Sequence, residues 1–239
     1  MADRVSVLLP TYNEAGNIGR LVREILRVVP DPVEILVVDD DSPDDTAGEV
    51  EALARRDDRV RLLRRTGERG LASAIRDGLA AVRGEVVVWM DCDFSHPPEL
   101  IPRMLEGIAS GYDAVVASRY VPGGSDRRAQ RLHRWLSRGI TTFASLALGR
   151  SFKDYTSGFI AVRRSVLDTV RIGGDYGEYF IALMHRLLRN GCRVLEIPYA
   201  NVSREVGESK TATSAFGFLA RGRRYVSTIL SLALERGRA

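Results

Sequence analysis

Two rhythms alternate along the first half of the chain. Largely apolar runs at 5–9, 33–38, 60–63, 85–90 and 113–118 have the length of strands. Between them lie stretches with helical spacing: Ile18, Leu21, Val22, Ile25 and Leu26 first, then 44–56, 70–82 and 97–109, the last opened by a proline. Strand–helix alternation predicts layered βαβ units. Runs that stay apolar at successive positions belong to strands buried on both faces, which favours a largely parallel sheet. The expected class is therefore α/β, Rossmann-like, with three layers around a mostly parallel central sheet.

After residue 118 the rhythm changes. Pro122-Gly123-Gly124 marks a loop within 120–126. A helix is predicted over 127–148, an extended segment over 157–162, a helix over 175–189, a strand over 193–198 and a last helix over 212–234. No repeat or low-complexity tract interrupts the chain. The expectation is one domain over 1–239, with residue 118 dividing a first half (1–118) from a second (119–239).

Composition narrows the function classes. No window reaches the roughly 18 apolar residues of a membrane span. The longest late run, 225–234, is about half that length and carries Ser227, Thr228 and Ser231. Met1-Ala2-Asp3-Arg4 runs directly into the first apolar run, unlike a secretory signal. These features predict a soluble or peripheral protein. Two cysteines, Cys92 and Cys192, make neither a disulfide framework nor a zinc cluster and suit a reducing cytoplasm. A net charge of +4 with 7% aromatic residues argues against nucleic acid as a partner. Of the 35 basic residues only Lys153 and Lys210 are lysines, a bias that genomic base composition explains.

In open α/β sheets ligands bind beyond the carboxyl ends of the strands. Here those ends read Pro10-Thr11-Tyr12-Asn13-Glu14, Asp39-Asp40-Asp41-Ser42-Pro43, Asp91-Cys92-Asp93 and Ser118-Arg119-Tyr120. Any one of these polar residues serves as well for a cap or turn. Four such ends on one rim ask for more. Carboxylates at 91 and 93, just past a buried strand, repel unless a cation lies between them, and Mg²⁺ or Mn²⁺ shared with a diphosphate resolves that repulsion. The Cys92 sulfur is too soft for such an ion.

The chain resembles the family 2 glycosyltransferases, and within them the polyprenyl- or dolichyl-phosphate mannose synthases. The matching stretches are PTYNEAGNI (10–18), VVDDDSPDDTA (37–47), ERGLASAIRDGL (68–79), MDCDFSHPPELIP (90–102), ASRYVPGG (117–124), DYTSGFIAVRRSVL (154–167), EIPY (196–199) and VSREVGESKTA (202–212). The resemblance implies the GT-A fold of nucleotide-diphospho-sugar transferases, with the donor nucleotide in the first half and the acceptor in the second. Pro10, Tyr12, Glu14, Val38 and Asp40 would hold base and ribose. Asp91, Cys92 and Asp93 would line the diphosphate, with Asp93 and Ser95 facing a Mg²⁺ or Mn²⁺ ion. Arg119, Arg204, Ser209 and Lys210 would contact phosphate. The implied reaction is inverting transfer of mannose from GDP-mannose to a polyprenyl phosphate at the cytoplasmic face of a membrane. The lipid tail would be met at the bilayer surface or on a separate anchoring partner. Around 175–180 the chain departs from a glutamine and a glutamate frequent in relatives, reading Asp175-Tyr176-Gly177-Glu178-Tyr179-Phe180, so UDP-glucose or another sugar nucleotide stays open as donor. That departure also counts against transfer to a hydroxyl, which needs a carboxylate base. A non-catalytic subunit on the same scaffold is the rival of another class, opposed by the intact Asp91, Asp93, Arg119, Arg204 and Lys210.

The residues of the acceptor half add an independent pattern. Arg127, Arg131, Arg134 and Arg138 share one face of the predicted helix, and Leu132, Trp135, Leu136, Gly139 and Phe143 form another stripe. The bland reading is a helix packed by that apolar stripe with a solvated basic face. The absence of Asp and Glu over 127–153 favours a cationic rim for lipid phosphate and anionic headgroups. His96, His133 and His185 have no partners at metal-ligand spacing.

Overall fold

A computed structural model describes residues 3–128, 131–148, 152–202 and 215–236. The expected strands form, in one seven-stranded sheet of order β3-β2-β1-β4-β7-β5-β8. These are β1 (Val5–Thr11), β2 (Val33–Asp39), β3 (Val60–Arg64), β4 (Val86–Trp89), β5 (Ala114–Ser118), β7 (Ile160–Arg163) and β8 (Val194–Pro198). Two short strands, β6 (Ser125–Asp126) and β9 (Ala200–Asn201), pair separately.

Alternate side chains along each strand go to opposite faces, so the apolar runs feed two cores. Leu8, Leu36, Val38, Val87 and Trp89 join one core. Val7, Leu9, Ile35, Val37, Val86 and Val88 join the other. Helices α1 (Ala15–Val28), α2 (Thr46–Ala54) and α4 (Ile101–Ala109) bury Ile18, Val50 and Met104 in the second core; α3 (Leu71–Ala81), α5 (Arg131–Leu148), α7 (Glu178–Arg189) and α8 (Ala215–Arg236) bury Ile75, Ala144, Leu183 and Ile229 in the first. A short helix α6 (Arg164–Leu167) follows β7 directly. This is the expected α/β/α sandwich.

All pairings in the large sheet are parallel except those of β7, which runs antiparallel to both β4 and β5. Periodicity does not reveal this direction. Its cause is topological: Arg119 and Tyr120 past β5 bond to Asp154 and Ser137, so the chain is back at the rim where β5 ends before β7 begins. It re-enters the sheet from that rim and must run backward.

Two expectations need correction. The helix predicted over 127–148 begins at Arg131, so Arg127 precedes it. The stripe of Leu132, Trp135, Leu136 and Phe143 does not pack the helix but is exposed. Thr141, Ala144 and Leu148 turn inward instead, with Ile140 and Ala147 beside them. No helix among the described residues is long and apolar enough to cross a membrane.

One buried carboxylate ties the base of the sheet together. Glu34 on β2 accepts from Ser6 Oγ on β1 at 2.5 Å, from the Arg83 N–H, and from Arg61 Nη1 on β3 at 2.9 Å. Burial alone would raise its pKa, but these donors outweigh burial and hold it below the usual 4.5. An acid whose pKa is depressed by folding stabilises the protein above its unfolded pKa and loses that contribution as pH falls through the folded value. Glu34→Gln is therefore expected to cost about 2 kcal/mol at neutral pH. The difference from wild type should shrink as pH falls below 4.5 in urea-unfolding titrations. A pH-independent difference would contradict this account.

Candidate active site

Four non-glycine residues among those described have positive φ: Asn13, Asp41, Asp45 and Phe94. All four lie just past the tips of β1, β2 and β4. Such conformations cost about 1–3 kcal/mol each and persist only where surrounding structure holds them. For an aromatic such as Phe94 (φ 59°) the departure is large. The strain is concentrated on one rim.

The β1 and β2 tips are sewn together by side chains. Asn13 N–H donates to Ser42 Oγ and Glu14 N–H to Thr46 Oγ1, both at 2.9 Å, and Ala15 N–H to Asp44 Oδ2 at 3.2 Å. Helix α1 has no cap from its own Glu14, so residues of the Ser42-Pro43-Asp44-Asp45-Thr46 turn supply one. Asp39 is likewise internal, accepting from Thr11 Oγ1 and from both the N–H and Oγ of Ser42. Asp40 accepts from Arg65 Nη1 at 2.5 Å and from Gly70 N–H at 2.8 Å. Burial raises its pKa, partly offset by those two donors. Gly70 (φ 155°) sits at the start of α3 in a conformation that favours glycine. Asp40 thus anchors the α3 N-terminus to the rim. Val38 is fully buried in the core, where its side chain has no access to a nucleotide. Pro10, Tyr12 and Glu14 are half-buried along the rim. Arg69 lies over the Tyr12 ring at 5.0 Å and also bonds its hydroxyl at 3.2 Å.

The β4 tip folds back on itself. Asp91 N–H donates to His96 Nδ1 at 3.1 Å and Ser95 N–H to Asp93 Oδ1 at 3.0 Å. His96 stacks on Phe159 at 5.0 Å, and burial lowers its pKa, keeping it neutral. With Nδ1 accepting from the backbone, this ring orders the loop. Asp93 is only 3% exposed, Ser95 is also buried, and Asp91 is half-buried. Close by in the chain, Phe94, Pro97 and Leu100 form one wall of a cleft of about 390 Å³ whose other wall is Pro198, Tyr199 and Val202; neither Asp91 nor Asp93 lines it.

The oxygen donors of Asp91, Asp93 and Ser95 are hard, as Mg²⁺ or Mn²⁺ requires. No set of three or more His, Cys, Asp or Glu converges among the described residues. One or two carboxylates completed by substrate phosphates is the usual magnesium arrangement, so the residues fit such an ion.

Arg119, past β5, is 4% exposed. Its Nε and Nη2 donate to Asp154 at 2.8 and 2.6 Å, and Nη2 also reaches Thr156 Oγ1 at 2.7 Å. Nη1 lies 3.8 Å from Asp126. Burial alone would lower the arginine pKa, but Asp154 holds it well above the ordinary value. Ser137 and Thr141 of α5 extend the cluster through Thr156. Arg119 is thus held in a buried pair with Asp154. Sequence reasoning missed Asp154 as a site residue. The signal was present: it follows the acid-free stretch 127–153 and opens the DYTSGF element. Arg204, Ser209 and Lys210 lie outside the described residues.

The Glycosyl transferase family 2 model matches residues 6–171. A dolichol-phosphate mannosyltransferase of Pyrococcus furiosus is 39% identical over 211 residues, covering 87% of this chain and 59% of the relative, so the chain spans little more than half of that protein. A polyprenol monophosphomannose synthase of Mycolicibacterium smegmatis is 39% identical over 219 residues, covering 89% and 82%. Among solved structures, glucosyl-3-phosphoglycerate synthase of Mycobacterium tuberculosis, in complex with Mn²⁺, UDP and glucosyl-3-phosphoglycerate, superposes with a TM-score of 0.74 at 22% identity, covering 97% and 80%. That likeness bears on the fold alone and agrees with the expected GT-A fold.

Proposed function

Because this chain belongs to glycosyl transferase family 2, we propose that it transfers mannose from GDP-mannose to a polyprenyl phosphate, with inversion at the anomeric carbon. The observation that carries the reading is the strained β4 tip, where Asp91, Asp93 and Ser95 bring hard oxygen donors to the rim that α/β enzymes use for ligands. The 39% identity to a polyprenol monophosphomannose synthase supports the acceptor class.

The chemistry needs little from a base. A phosphate monoester has a second pKa near about 6, so the acceptor is already an anionic nucleophile at pH 7. Its oxygen forms the new bond to the anomeric carbon while the bond to the donor diphosphate breaks, and GDP leaves with the electron pair. The difficulty is that both reactants are anions, which makes positioning and charge compensation the work of the protein. Asp93, with Asp91 and Ser95, would hold a divalent cation, which when bound supplies positive charge at the diphosphate. The β1–β2 rim, with Pro10, Tyr12 and Glu14, receives the nucleotide, Tyr12 doing so under the Arg69 guanidinium, while Asp40 anchors α3 beside it. The family resemblance would assign Cys92 to the diphosphate and Arg204, Ser209 and Lys210 to phosphate. Arg119 with Asp154 fixes the floor of the acceptor half and acts as a positioning pair. The protein works at the cytoplasmic face of a membrane, where its lipid acceptor resides.

The direct test offers polyprenyl phosphate and Mg²⁺ with labelled GDP-mannose or labelled UDP-glucose, and follows the lipid on thin layers. The expected result is an acid-labile glycolipid labelled from GDP-mannose, at least about tenfold faster than from UDP-glucose. Label from UDP-glucose alone would overturn the sugar assignment, and label from no donor would favour a non-catalytic subunit.

A further inference from the structure

Nine large apolar side chains are exposed among the described residues, and eight belong to α5 and α8, two helices packed against each other. The most open are Leu146 (78%), Trp135 (75%), Leu234 (73%) and Leu132 (61%). Isolated exposed leucines are ordinary, but a concentration on two adjoining helices marks an interaction surface. We propose that the α5–α8 face is where this protein docks on an anionic lipid bilayer.

Charge complementarity selects that occupant. Arg127, Arg131 and Arg138 are exposed beside the apolar row, and no acidic residue occurs between 127 and 153 to balance them. Arginines flanking an apolar stripe suit headgroup phosphates above an acyl layer. Trp135 falls between the two rows by helical position, the place where an amphipathic ring sits at a membrane interface. A second copy of the chain fits poorly, because its matching face offers no acidic residue over 127–153 to pair with these arginines. The face also continues into the candidate site: Arg134 Nη1 lies 3.4 Å from the Asp126 carbonyl, and Arg138 lies over the Tyr120 ring, next to the Arg119–Asp154 pair. Docked this way, the protein presents its acceptor half to the layer that holds a lipid phosphate. That last step rests on the proposed transfer reaction; the docking itself does not.

The chain's two tryptophans make a built-in probe, since Trp89 is buried and Trp135 is not. Vesicles of phosphatidylcholine, alone or mixed with phosphatidylglycerol, are added to the full chain, and pelleting and tryptophan emission are followed. Wild type should pellet with the anionic vesicles with a blue shift, and bind neutral ones much less. Leu132→Ser with Leu146→Ser alters only exposed side chains and should lower the partition constant at least about tenfold. Its circular dichroism and its transfer to acceptor in detergent micelles should be unchanged. Equal vesicle binding by the double variant, no blue shift in wild type, or self-association without lipid binding would each overturn the proposal. Vesicle binding without sugar transfer would remove the reaction and leave the docking surface. Transfer in micelles without vesicle binding would do the reverse.

Discussion

Asp93→Asn yields a folded protein whose sugar transfer falls about a thousandfold or more, the several kcal/mol expected when metal-borne charge at a leaving diphosphate is lost. The substitution is nearly isosteric. The amide oxygen still accepts the Ser95 N–H, and the His96 bond to Asp91 N–H is untouched, so the loop is expected to keep its shape. What changes is one negative charge in a place where it is only 3% exposed. Mg²⁺ is expected to raise the Tm of wild type and to leave that of the variant unchanged. Thermal unfolding with and without Mg²⁺, beside the thin-layer assay, separates the two effects. Undiminished transfer would remove the metal from the account.

The second large effect concerns stability. Asp154→Asn leaves the Arg119 guanidinium charged and buried without its counter-ion. Breaking one partner of such a pair costs about 3–5 kcal/mol. For a chain of this size each kcal/mol moves Tm by about 2–4 °C, so a fall of roughly 6–20 °C is expected by calorimetry. Replacing both partners together, Arg119→Met with Asp154→Leu, should recover much of that loss, because the burial penalty of two ions disappears with the pair. The double variant should nonetheless transfer sugar poorly, since the pair also holds Thr156 against Ser137 and Thr141 on α5. A single variant with wild-type Tm would show that Asp154 is not the counter-charge that keeps Arg119 buried.

Much of the architecture was legible in the sequence because burial on both faces leaves a plain mark. Runs such as Val86 to Trp89 can be little else than central strands, and helices between them follow from spacing. What stayed hidden depended on contacts across the fold. The backward run of β7 is set by the contact of Asp154 with Arg119 at the β5 rim, which no local pattern records. The apolar stripe at Leu132, Trp135 and Leu136 has helical spacing whether it faces a core or a membrane, so periodicity favoured packing where exposure is found. At the rim, sequence identified the strand tips but could not sort chemistry from carpentry. Ser42, Asp44 and Thr46 proved to be acceptors for the backbone of residues 13–15, while Asp39 and Asp40 face inward. The 37–47 element is thus in large part a splint that ties the tips of β1 and β2 together.

The reading turns on whether Asp93 gathers a cation together with a nucleoside diphosphate. Loss of the free Mn²⁺ signal in electron paramagnetic resonance, followed as protein is added with and without GDP, reports that event without any turnover. Wild-type protein should take up Mn²⁺ far more tightly when GDP is present, and Asp93→Asn should abolish the gain. Equal uptake by the variant, or uptake by wild type that GDP does not alter, would contradict it.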